Sequence, residues 1–132
     1  MPRHYVEQPP RVAATSPTER AALGYLHGNC GHCHNDAGAL TGLELVLAQQ
    51  ADAAAQSSER TMQSLLGHSS RFRPQGADSA QRIAREGGTH VLTLRMKTNN
   101  PLARMPPLGV QQFDAEGVEL VERWINQHLS NR

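Results

Sequence analysis

The sequence predicts a mainly α-helical protein, and three stretches carry that prediction. Ser16-Pro17-Thr18-Glu19 spells a helix start, residues 48–66 are rich in Ala and Gln, and Val118, Val121, Ile125 and Leu129 recur at helical intervals after Asp114. The strand signal is weak by comparison: Leu43-Glu44-Leu45-Val46-Leu47 alternates imperfectly. At 132 residues the chain is long enough for one domain with a modest core. It is read as an extended arm over residues 1–15 and a domain over residues 16–132.

The arm is rich in Pro and polar residues. The first helix runs from about Pro17 to Cys30, with Ser16 as N-cap, Pro17 at the first helical position and Glu19 completing a capping box. A turn-rich loop, Asn35 to Gly42, leads to the apolar stretch 43–47. Residues 48–66 are helical at least in part, on Ala propensity. From Gly67 to Gly88 the chain is polar, with Arg71, Arg73, Arg82 and Arg85, and reads as loop with one short strand around Ile83. Thr89 is placed as the cap of a short helix through Val91, Leu92, Leu94 and Met96, which Asn99-Asn100-Pro101 stops. After a loop over residues 102–109, Asp114 caps the last helix, where Leu120 and Trp124 flank the apolar stripe.

Composition removes several function classes. Thirteen Lys and Arg against twelve Asp and Glu leave a net charge of +1, with no basic run interleaved with aromatics, so nucleic-acid binding is not expected. No stretch approaches the roughly 18 apolar residues of a membrane span. The first ten residues lack the apolar core of a signal peptide. Two Phe, two Tyr and one Trp are few for this length, so a bound apolar group would supply missing core volume.

The chemistry concentrates in Cys30-Gly31-His32-Cys33-His34. Two thiols one turn apart with an imidazole directly after them form the C-x-x-C-H pattern of covalent c-type haem attachment. Each thiol can add to one haem vinyl group, and His34 can present a ring nitrogen to the iron. These are the only two cysteines, so a double C-x-x-C zinc site lacks its second half; a mixed site with His27, His32, His34 or His68 lacks the usual histidine spacing. Cys-Gly-His-Cys also matches the active tetrapeptide of disulfide isomerases, which needs a strand running into the first cysteine. Here a capped helix runs into it. A structural disulfide would close a tiny loop and leave His34 unexplained.

Iron held by His34 has a second face for a methionine, a histidine or nothing. Met62 and Met96 sit in helical patterns as core residues. Met105 precedes Pro106 and Pro107, which force it into an extended, stiffened loop suited to a weak thioether ligand. Met105 is the first choice, with Met96, then His68 or His90, as alternatives. His4, His27, His32, His68, His90 and His128 otherwise read as surface or capping histidines. Arg71, Arg73, Arg95 and Arg104 are candidates for haem propionates, Arg104 foremost.

A helix into Cys30-Gly31-His32-Cys33-His34, then Arg104-Met105-Pro106-Pro107-Leu108-Gly109, then a last helix with Glu122-Arg123-Trp124-Ile125 resembles a monohaem cytochrome c of the class I, His/Met type. The resemblance covers the first helix and residues 89–129. It implies one haem c held by thioether bonds from Cys30 and Cys33, with His34 and Met105 as axial ligands and Arg104 and Pro106 beside the cofactor. It also implies the cytochrome c fold, with crossed first and last helices bringing Gly24, Tyr25 or Leu26 to Val121, Trp124 or Ile125. Ala39-Leu40-Thr41-Gly42 stands where the family commonly has a proline whose carbonyl accepts from the proximal histidine. Residues 48–88 enlarge the middle region.

The function so implied is electron transfer by a haem cycling between Fe(III) and Fe(II), without substrate turnover. The partner would be a dehydrogenase, a reductase or a respiratory-chain component, met through a small transient contact. Such haem attachment takes place outside the bacterial cytoplasm, so a periplasmic or otherwise exported location is expected, the signal peptide having been removed. The alternatives are a haem domain of a larger redox enzyme, a gas- or peroxide-reactive haem protein, and a thiol-disulfide oxidoreductase.

Overall fold

The computed structural model of the chain describes residues 12–35, 44–72, 80–84, 90–98, 100, 103–105 and 114–129, with the backbone alone at His128. Four α-helices form among them: α1 (Pro17–Cys30), α2 (Ala54–Leu65), α3 (Val91–Lys97) and α4 (Ala115–Trp124). A π-helical turn, Ile125–Leu129, continues α4. No strand forms among the described residues, and none of these helices is long and apolar enough to cross a membrane. The chain divides into two compact units, Met1–Thr61 and Met62–Arg132, with the boundary inside α2.

In the first unit, α1 starts as its sequence dictates. Ser16 Oγ accepts the Glu19 N–H at 3.0 Å, and Pro17 occupies the first turn, where a missing N–H costs nothing. The buried Glu19 carboxylate turns back to the Thr15 N–H and hydroxyl, at 3.1 and 3.3 Å. Ala22, Leu23 and Leu26 form the buried stripe, each leucine contributing about 1.5–3 kcal/mol. The described end of the arm is tied down. Val12 O accepts from Arg20 Nε at 3.1 Å and Ala13 O from the Ser58 hydroxyl at 2.6 Å.

Residues 44–50 form neither helix nor strand and are entered through Glu44, in the left-handed region at φ 55°. The helix expected within 48–66 begins later, at Ala54, because residues 48–50 are held elsewhere. Ala48 packs on Gly31, and the Gln50 N–H donates to Ser57 Oγ at 2.9 Å.

In the second unit, the expected strand around Ile83 is reduced to single bridges: Leu66 with Ile83, Ser69 with Gln81 and Gln81 with His90. Its neighbours are the flanks of two helices rather than another extended run, so pairing cannot propagate. The bridges still bury Ile83 completely, and Arg82 reaches Ser64 O at 2.7 Å to cap the end of α2. The cap of α3 is His90 rather than Thr89, and its side chain makes no cap hydrogen bond; Thr89 lies outside the described residues. Helix α4 starts at Asp114, whose Oδ1 accepts the Gly117 N–H at 3.1 Å. Val118, Val121, Ile125 and Leu129 are buried as the spacing predicts, together with Trp124. The π-turn was not visible in that spacing.

Gly31 is the constrained glycine of α1's surroundings. A Cβ there would stand 2.8 Å from His27 O and 2.9 Å from Ala48 Cα, both backbone atoms, whereas Gly24 has open space. Gly31→Ala is therefore expected to lower the unfolding free energy by about 1–3 kcal/mol. Gly24→Ala should raise it by about 0.5–1 kcal/mol, through helix propensity. Urea unfolding of the two variants checks both signs.

Candidate functional site

The C-x-x-C-H motif sits at the carboxyl end of α1, where helix geometry leaves carbonyls without partners. The motif answers them itself. Gly31 N–H is shared by the Leu26 and His27 carbonyls at 3.1 Å each, and Cys30 O accepts from Cys33 N at 3.2 Å and His34 N at 2.9 Å. Asn35 Nδ2 donates to Gly31 O and His32 O, both at 3.0 Å. The chain thus curls back under α1 and holds both cysteines and His34 on one compact turn.

Residues 47–49 secure the other side. Leu47 N–H donates to His34 O at 2.8 Å, and Gln49 N–H donates to His27 Nδ1 at 2.9 Å. His27 is therefore an acceptor at Nδ1, a capping role. His34 has its backbone fixed at both N–H and C=O. Its ring is half-buried with Nδ1 enclosed, while His32 is exposed.

Cys33 is exposed and Cys30 half-buried, and both are free thiols. Burial, and then the neighbouring Cys33, push the Cys30 thiol up to about 11. The negative end of the α1 dipole acts in the same direction. A disulfide-exchange nucleophile needs the reverse, a thiolate stabilised at a helix N-terminus or by a cation. No three His, Cys, Asp or Glu side chains cluster to hold a metal ion among the described residues.

The Gln49 side chain is held in an unusual state. Its Oε1 and Nε2 are both enclosed and have no hydrogen-bond partner among the described residues, a cost of about 1–3 kcal/mol for each. No family model, curated protein or solved structure matches the chain. The site's chemistry therefore rests on its own residues.

Met105, in the second unit, is half-buried, and its N–H donates to Arg95 O at 2.8 Å. Met62 and Met96 are buried helix residues, as expected of core methionines. Among the other alternative ligands, His90 Nδ1 accepts the Ala84 N–H at 2.9 Å and His68 Nδ1 lies 3.0 Å from Ser69 O. Burial lowers the His90 pKa against the opposing pull of Glu122. Arg104, expected at a propionate, is only 7 % exposed, and its Nε donates to Thr98 O at 2.9 Å. Arg95 donates Nε to Ala103 O at 2.8 Å and lies 4.6 Å from the centre of the Phe72 ring. Arg71 is exposed; Arg73 and Pro106 lie outside the described residues, as does the segment Ala39 to Gly42.

Sequence reasoning passed over Asn35 and Gln49. Asn35 had a signal: a short amide directly after a helix end is suited to its free carbonyls. Gln49 follows an apolar run and had none.

Alkylation by iodoacetamide at neutral pH is expected at Cys33 first, with Cys30 reacting appreciably only as the pH approaches 11. Since the folded chain keeps the Cys30 proton to higher pH than the unfolded chain, stability should fall as pH rises toward about 11. Peptide mapping and urea unfolding against pH read the two effects.

Proposed function

We propose that this chain is a c-type cytochrome of the class I kind, carrying one haem joined to Cys30 and Cys33 and transferring electrons. The observation that carries the reading is the closed turn at the end of α1. It presents two free thiols and an imidazole whose backbone is held at His34 N and His34 O, at 2.9 and 2.8 Å. The Gln49 amide, without a hydrogen-bond partner among the described residues, and the scarcity of aromatics also fit a large ligand with both apolar and polar parts.

When bound, the haem supplies a one-electron Fe(III)/Fe(II) couple. The chain's residues have separate tasks. Cys30 and Cys33 anchor the group, and His34 offers Nε2 while its Nδ1 is turned inward. Met105 offers a neutral sulfur, which favours the reduced state relative to a second imidazole. Gln49 offers a donor and an acceptor to the polar edge of the ligand. The crossing of the first and last helices belongs to the same proposal, as do an exported location and a redox partner protein. Thiol-disulfide exchange is disfavoured by the raised Cys30 pKa and by the motif's place at a helix carboxyl end.

Expression with a haem-attachment system should add the mass of one haem, which survives denaturation. Replacing both Cys30 and Cys33 with Ala should abolish the covalent adduct. In the oxidised protein, Met105→Ala should remove the sulfur-to-iron charge-transfer band while Met96→Ala keeps it. Persistence of the band in Met105→Ala would sink the distal assignment, and absence of any covalent adduct would sink the cytochrome reading.

A further inference from the structure

We infer that Arg95, with Arg104 opposite, is a positioning residue that holds Met105 ready as an iron ligand; this rests on the proposed His34/Met105 ligation. Helix α3 ends at Lys97, leaving its last carbonyls to be met from outside the helix. The Thr98 N–H takes Leu94 O at 3.1 Å, and the Met105 N–H takes Arg95 O at 2.8 Å. Arg95 then grips the same loop a second time, through Nε to Ala103 O at 2.8 Å. Arg104 returns the contact from the loop to the helix end, Nε to Thr98 O at 2.9 Å. Asn100 O accepts both Ala103 N–H and Arg104 N–H, at 3.0 and 2.9 Å.

Residues 103, 104 and 105 are thus each held by at least one hydrogen bond, and Arg95 holds two of them. Phe72, 4.6 Å from the guanidinium, limits where that side chain can go. Ala103 is buried, so losing the Arg95 donor would free a carbonyl that water cannot readily reach. A thioether is a weak ligand, and its hold on iron depends on how often the loop presents it. A competitor's apparent affinity rises as that fraction falls.

The test is imidazole titration of the oxidised holoprotein, with the sulfur-to-iron band and covalent haem content followed in parallel. Arg95→Ala should bind imidazole about ten- to a hundredfold more tightly than wild type, the effect of one charged hydrogen bond. Its band should weaken while haem content is unchanged. Arg95→Lys should recover part of the difference, since its amine can still donate to Ala103 O. Phe72→Leu should shift affinity in the same direction by less, and the latter two variants carry the test if Arg95→Ala fails to fold. Imidazole affinities within about twofold of wild type in these variants, with the band intact, would overturn the role of Arg95 and leave Met105 ligation standing. A wild-type protein without the band would overturn the ligation and this inference together.

Discussion

The last carbonyls of an α-helix have no donor within the helix, and when the end is buried a donor has to come from somewhere else. In this chain that requirement fixes both candidate ligands. Cys30 O, at the end of α1, is met by the His34 N–H, and Arg95 O, in the last turn of α3, is met by the Met105 N–H. Each ligand's backbone is thus part of a helix cap. Displacing it would leave a carbonyl without that donor, so the side chain inherits some of the helix's rigidity without lying on the helix.

The second constraint is steric, and it acts in the first unit. Residues 47–49 can reach the motif because Gly31 has no Cβ; Ala48 Cα lies 2.9 Å from where one would stand. That approach aligns three contacts in succession, with Leu47 on His34 O, Ala48 on Gly31 and Gln49 on His27 Nδ1. Gly31 is the first variable position of the C-x-x-C-H pattern, which by itself leaves that position open. Here the packing decides it.

Where local chemistry sets the structure, the sequence was readable. Ser16, Pro17 and Glu19 start α1, Asp114 starts α4, and the stripe through Val118 and Val121 is buried, all within reach of capping and periodicity rules. Where a contact from outside the element decides, it was not. The late start of α2 depends on Gln50 and Ser57, the bridges at Ile83 on two helix flanks, and the orientation of Arg104 on Thr98 O. Arg104 shows the difference well. The sequence made Arg104 a candidate for a haem propionate, and it gave no sign that Arg104 Nε donates to Thr98 O, just past the end of α3.

The same geometry bears on which chemistry C-x-x-C-H can serve here. Of the chemistries that share the pattern, thiol-disulfide exchange requires a stabilised thiolate. A helix carboxyl end carries a partial negative charge, which disfavours a thiolate there, typically by about 0.3–1 kcal/mol. Burial adds to this at Cys30, whose thiol holds its proton up to about 11. The motif's identity admits several reactions, and its place at the end of α1 rather than the start counts against the one that needs a thiolate.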